Sequence, residues 1–379
     1  MGNPVIIGKQ LNATHKPKVE WSILFVAAIL VVLGAAFQLF LSRVDALSSD
    51  HFSSFLLYAP FGIAAFAFMY FFDYTRFARY SKRIYFVLLA SVVIGSLLSD
   101  KINGGYLLVY YTTLLFIPVF AGVTYSFRSK GYLGLIYSGL YYAGAAFTTI
   151  VAPSFQSFAL LTISCLIILT VAITRGFFSV KKRQGLALVY IPTLLLPSLL
   201  ALFSSTISQR MERIISLLNP IHEYAGSGFL AYVVRQVLMA SKPFEKAVFV
   251  SSFENMSIDR ILPYWSSHLS LTYLIATWGY IPGLTFVGIM LFLIIRMYVT
   301  VIDQKNAFGL LVSLSVFLAI TGQIALFLFS NLGVIFPLAA ILPFISFGAK
   351  GFIVNMALLG LLLSVYRRTD LVYDRLPQN

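Results

Sequence analysis

Apolar residues run through this chain in blocks of about twenty, divided by short polar segments, and a bilayer core takes about that many helical residues. The blocks fall at 21–41, 53–72, 84–99, 105–127, 132–151, 155–174, 185–205, 267–295, 306–330 and 340–366. They predict an all-α polytopic membrane protein of about ten transmembrane helices. Residues 1–379 form a single membrane domain with tails at 1–20 and 367–379. One long loop, 206–266, separates helices seven and eight. The third block is short and has to tilt little or thin the bilayer. Pro118 and Gly122 are the points at which the fourth could break.

Charge gives the blocks a direction. Placing the N-terminus inside collects most of the basic residues on the inner side, among them Arg76, Arg79, Lys82, Arg83, Arg128, Lys130, Arg175, Lys181, Lys182, Arg183, Arg367 and Arg368. The short outer loops then carry only Arg43 and Lys101. This is the positive-inside asymmetry, and an even helix count returns the C-terminus to the cytoplasm. Long loops escape the rule, so 206–266 can be outside despite its six basic residues.

Composition agrees, with 59% hydrophobic and 11% charged residues, against about one-quarter charged in a soluble domain. The net charge of +14 is spread over loops, so it sets topology and does not point to nucleic acid. Cys165, the only cysteine, excludes an intrachain disulfide and a cysteine metal cluster. The polar first twenty residues lead into an uninterrupted apolar helix with no small-residue cleavage site, unlike a cleavable signal.

The long loop has internal pattern. Ile207, Met211, Ile214, Ile215 and Leu218 recur at helical spacing while Arg210 and Arg213 take another face, which suits a helix lying on the membrane from Thr206 to Leu218. Asn219-Pro220 ends it. A second mixed stretch, Phe229 to Ala240, also fits the interface. Glu212, Glu223, Glu245, Glu254 and Asp259 nearly balance Arg210, Arg213, Arg235, Lys242, Lys246 and Arg260.

All thirteen Asp and Glu lie outside the apolar blocks, which lowers the odds of an ion-driven carrier with a midplane acid. His15 and His222 have no partner at metal-ligand spacing. His268 stands where the loop re-enters helix eight; a lone interfacial His is more often structural than catalytic. Lys350 follows Pro343-Phe344-Ile345-Ser346-Phe347-Gly348-Ala349, a pattern that predicts a broken helix start. A lysine there either snorkels or pairs with an anion.

The run Leu342-Pro-Phe-Ile-Ser-Phe-Gly348, then Val354-Asn355 and Leu359 through Arg368, closely resembles the C-terminal signature of the SEDS family, the shape, elongation, division and sporulation proteins of FtsW, RodA and SpoVE type. Phe71-Phe72-Asp73-Tyr74 is similar to that family's acidic-Tyr boundary after helix two. Arg213 to Asn219-Pro220, with Gly226-Ser-Gly228-Phe229, resembles its outer-loop segment, and Trp278-Gly279-Tyr280-Ile281-Pro282-Gly283 its helix-eight glycine element. The resemblance spans most of the chain and implies a peptidoglycan glycosyltransferase of the bacterial cytoplasmic membrane. Its expected partners are undecaprenyl-linked lipid II and a class B penicillin-binding protein, and a divalent cation is a possible cofactor.

The family carries an essential Asp at the start of helix eight. Aligned from Leu262-Pro263, the positions of its Glu, His, Thr and Asp hold Tyr264, Ser266, Ser267 and His268. Ala276-Thr277 replaces a paired Glu, and Gly348-Ala349-Lys350-Gly351 replaces Gly-Gly-Ser-Ser. A neutral imidazole can act as base but lacks the oxygens magnesium prefers. The resemblance thus nominates His268, with Asp259 as a second candidate, for the acceptor hydroxyl, and Arg213, Arg260, Lys350 and Ser346 for substrate, as phosphate clamps where cationic. Three readings stay open at this level: an active polymerase, an inactive scaffold for a penicillin-binding protein, and a lipid-linked sugar flippase.

Overall fold

A helix apolar on every side belongs in an interior, and the fourth long apolar block is such a helix. In the computed structural model it forms α4 (Gly105–Ser126), whose central stretch is 89% buried. The structure describes residues 19–44, 50–98, 105–151, 154–203, 229–248, 258–262, 265, 267–335, 342–345 and 348–369. Around α4 pack α3 (Tyr74–Leu98), α5 (Gly131–Val151), α6 (Phe155–Thr174), α12 (Ala307–Asn331) and α13 (Ala349–Arg367). Outside these lie α1 (Trp21–Val44), α2 (Asp50–Phe71), α7 (Lys182–Phe203) and α11 (Tyr280–Ile302). The most apolar span, α1, is only 39% buried, and α2 only 17%. Burial does not follow hydropathy, since α2 is less apolar than α12 yet far more exposed, as expected where lipid tails are as apolar as leucine.

The described residues contain ten helices of 19 to 25 residues, of which seven are long and apolar enough to cross a membrane by length and composition. The protein is an all-helical, multi-pass membrane protein. Three smaller helices follow the seventh: α8 (Phe229–Met239), α9 (Ile258–Ile261) and α10 (Ser270–Trp278). The surface helix expected over 206–218 and both chain ends lie outside the described residues.

Three expectations change. The third helix is not short, because it begins at Tyr74 and carries Arg76, Arg79, Lys82 and Arg83 on its first turns. The fourth runs unbroken through Pro118 and Gly122. The eighth block, 267–295, is two helices parted at Gly279, whose φ is +98°. A side chain at Gly279 would overlap the Pro243 backbone. The Tyr280 and Ile281 N–H groups donate to the carbonyls of Lys242 (2.9 Å) and Pro243 (3.1 Å), and Ala247 N–H donates to Ala276 (2.8 Å). Segment 240–248 thereby supplies acceptors that the break would otherwise leave missing.

Close approach holds the helices together. The pair α2–α13 packs most extensively. Gly62 leaves room for the Phe352 ring, and Gly360 lies against the Phe66 carbonyl and Met69, the small-residue packing typical of membrane interfaces. Buried amides Gln323 and Asn355 pair across α12 and α13, with Gln323 Nε2 donating to Asn355 Oδ1 at 2.9 Å. The basic end of the bundle is fastened by polar links: Arg368 to Asp73 at 2.6 Å, Arg296 to Glu20, Asn306 to the Tyr74 hydroxyl at 3.0 Å, and Ser364 to the Phe72 carbonyl at 2.6 Å. Burial pushes the Asp73 carboxyl up, but hydrogen bonds from Thr75 and Arg368 and the Arg368 charge outweigh it and hold the group below its ordinary value.

Two outcomes follow. Gly360→Ala forces a methyl onto the Phe66 backbone and should cost about 1–3 kcal/mol, read as a lower Tm in detergent. Gly139→Ala, with nothing within 4 Å of the added carbon, should stay within about 0.5 kcal/mol. Asp73 has its folded pKa below its unfolded one, so its contribution is complete above the unfolded carboxylate range and disappears as pH falls through the folded value. Asp73→Asn should therefore lower Tm at neutral pH and flatten the acid limb of a Tm–pH curve.

Candidate functional site

His268 belongs to a turn, 267–269, that leads into α10. The residue at the helix start is Leu269, which has no side-chain acceptor for the first orphan N–H groups. Asn331, the last residue of α12, takes that role from a different helix. Its Oδ1 accepts from Thr272 N–H at 3.0 Å. Its Nδ2 donates to the His268 carbonyl at 2.8 Å and to the Phe327 carbonyl at 3.0 Å. The Thr272 hydroxyl lies 2.9 Å from the Asn331 carbonyl. Both Asn331 and Thr272 are fully buried. One amide thus fixes both the carbonyl of the half-buried His268 and the Thr272 N–H that follows it.

The turn has a packed floor. Ile258, Ile261, Leu262 and Leu269 are buried, and the Trp265 and Tyr273 rings sit 4.7 Å apart. These contacts set α9 against α10, which puts the backbone of Asp259 and Arg260 on the element next to the His268 turn. The side chains of Asp259 and Arg260 lie outside the described residues, as do Arg213 and Ser346.

Lys350 stands in another neighbourhood. It is the second residue of α13 and is exposed. The broken start predicted from Pro343 and Gly348 is present: residues 343–345 form a turn and the helix begins at Ala349. Gln38 of α1 donates to the Ile345 carbonyl at 2.9 Å. Phe344 has a φ of +70°, and Gly34 leaves room for its carbonyl, 2.6 Å from where a Cβ would stand. On the other side Gly351 rests on the Tyr111 ring and Gly348 is hydrogen-bonded to Tyr58. The contacts of Lys350's helix turn are thus with α1, α2 and α4, whereas those of His268 are with α12.

Sequence reasoning missed Asn331 and Thr272. The available signal was an Asn closing a long apolar run beside a helix start without a capping residue. It counted Arg235 only as a loop charge; Arg235 Nε donates to the Gly333 carbonyl at 2.7 Å and so holds the chain just beyond Asn331. The face of α8 formed by Ala231, Val233, Val234 and Val237 is buried.

The profile of the FtsW/RodA/SpoVE cell cycle proteins matches residues 127–371. The chain belongs to this family. No curated protein matches it by sequence. Among solved structures, the chain is similar to one described as showing structural coordination of polymerization and crosslinking by a peptidoglycan synthase complex, with a TM-score of 0.69 and 15% identity over 93% of this chain and 98% of that one. It is also similar to the rod shape determining protein RodA of Thermus thermophilus, with a TM-score of 0.59 and 15% identity over 93% and 97% of the two chains. An alanine variant of that RodA gives a TM-score of 0.61 at the same identity, over 93% and 98%. At this identity the likeness establishes the fold, and it runs almost end to end.

Membership sharpens the meaning of the turn at 268, where the family pattern puts an Asp and this chain has His. Among the described residues no three His, Cys, Asp or Glu side chains gather where a metal ion could sit.

Removing the amide tests the clamp. Asn331→Ala leaves Thr272 N–H buried without its acceptor and should cost about 1–3 kcal/mol. Amide exchange at Thr272 should speed up more than exchange in the middle of α12, seen by hydrogen–deuterium exchange.

Proposed function

We propose that this protein acts in peptidoglycan synthesis in the bacterial cytoplasmic membrane, binding lipid II at its outward face and polymerising glycan strands beside a class B penicillin-binding protein. The observation that carries this reading is the combination of family membership and near-complete fold coverage with a titratable residue, His268, whose backbone carbonyl Asn331 binds, where the resemblance expects the family's carboxylate.

In this reading the neutral His268 imidazole takes the proton from the 4-hydroxyl of the incoming sugar. The freed oxygen attacks the anomeric carbon at the end of the growing strand. The bond from that carbon to the pyrophosphate oxygen breaks, and undecaprenyl pyrophosphate leaves with the electron pair. Arg213, Arg260 and Lys350 supply positive charge for the leaving group, and Ser346 a hydroxyl for its oxygens. Asp259 orients the protonated imidazole or takes over as base. The exposure of Lys350 at the broken start of α13 supports its part, since a cation there is free to meet a phosphate.

A second reading is favoured by one specific observation: the family's Asp is His268 here. On that reading the protein is a scaffold for the penicillin-binding protein and leaves glycan transfer to others. Purified protein incubated with lipid II separates the two. Polymer from the parent chain, slowed on the order of a hundredfold or more by His268→Ala and retained by His268→Asp, supports the transferase. Equal polymer from the parent and His268→Ala removes the histidine from the mechanism. No polymer from either, with capture of a class B penicillin-binding protein intact, supports the scaffold.

A further inference from the structure

No Asp or Glu occurs between Asp100 and Glu212, a stretch that includes α4, α5, α6 and α7. Within it, and on the facing turns of α3, the basic end of the bundle gathers cations. Two of them converge. Lys82 of α3 places its Nζ 4.0 Å from the centre of the Phe127 ring, and Lys130, in the turn between α4 and α5, places its Nζ 5.3 Å from the same ring and 5.2 Å from Tyr137. Each ammonium lies within the other's field. Two like charges over one buried aromatic floor repel, and ring quadrupoles offset only part of that.

The acids at this end of the bundle are engaged elsewhere. Asp73 is bound to Arg368 and Thr75, and Glu20 to Arg296. Among the described residues no carboxylate pairs with Lys82 or Lys130. A counter-charge supplied from outside the chain would satisfy both. The surroundings say at what depth. Tyr80, Tyr132 and Tyr137 are exposed beside the lysines, the position that tyrosines take at the level of lipid headgroups. The Tyr132 hydroxyl donates to Gln184 at 2.6 Å, which ties the start of α5 to the start of α7 and brings the exposed Lys181-Lys182-Arg183 run alongside.

We infer that Lys82, Lys130 and the Phe127 ring form a seat for the phosphate of an anionic phospholipid headgroup in the inner leaflet, between α3, the 127–131 turn and the start of α7. The positive-inside bias explains an excess of cations at this end; it does not explain two ammonium groups at one ring with no acid paired to either among the described residues. An anionic diester phosphate at headgroup depth satisfies both at once, and basic pockets between transmembrane helices on the cytoplasmic side bind such headgroups. The inference is independent of the outer-face chemistry.

Native mass spectrometry of the full chain, released from micelles holding equal phosphatidylglycerol and phosphatidylcholine, tests it. The parent chain should retain phosphatidylglycerol in preference. The double variant Lys82→Gln with Lys130→Gln should lose that retention on the order of tenfold, as expected for two surface cations worth about 1 kcal/mol each. Arg175→Gln with Lys305→Gln, which removes the same charge from other loops of this end but leaves the ring, both lysines and the start of α7, should lose clearly less. Lys82→Arg with Lys130→Arg should restore retention, which separates loss of charge from misfolding. Equal losses from the two Gln pairs reduce the effect to diffuse charge and overturn the seat. Displacement of the lipid by millimolar inorganic phosphate would show a site for free phosphate and overturn the lipid assignment.

Discussion

A helix that breaks at membrane depth frees backbone N–H and C=O groups where water is scarce, and each must find a partner inside the protein. That constraint accounts for much of what is distinctive here. At the α10 start the partner is the Asn331 side chain. At the α10–α11 junction it is a pair of loop carbonyls, Lys242 and Pro243. Before α13 it is Gln38, and beyond α12 it is Arg235. Each break is therefore satisfied by an element distant in sequence, and the broken segments are fixed only once the long helices have packed. The candidate catalytic turn and the exposed Lys350 lie at or beside such breaks.

The reach of sequence reasoning follows from the same constraint. Long apolar blocks are a local signal, and each falls on a long helix, the eighth only from Tyr280 onward. The broken start of the last helix was also local, written in Pro343 and Gly348. What could not be read locally was the partner of each break. Gly279 gave a hint within block eight, but the block is apolar on both sides of it, and hydropathy alone runs straight through. The third helix was read short because its first turns are basic, although cations at the rim of a bilayer are compatible with helix. Of the candidate site, the sequence supplied the position of His268 through resemblance; the clamp that holds it depends on Asn331, sixty-three residues away.

Interior and exterior divide differently here from a soluble protein. The buried α4 and α12 carry the aromatic, amide and small residues that make contacts specific, including Tyr110, Tyr111 and Gln323. The most apolar span, α1, is largely exposed, as is α2. A substitution that raises hydropathy on the outer helices is consequently mild, whereas one that alters size or hydrogen bonding on α4, α12 or α13 strikes the packing directly.

The junction at Gly279 has one more consequence. α11 is an unbroken rod of 23 residues, roughly 35 Å long at 1.5 Å per residue. Its first N–H groups are stitched to segment 240–248, and near its far end Arg296 grips Glu20 at the start of α1. The rod is thus tied at both ends, by loop carbonyls at its start and by an ion pair near its finish, so its tilt within the bundle is set by two elements far apart in the chain.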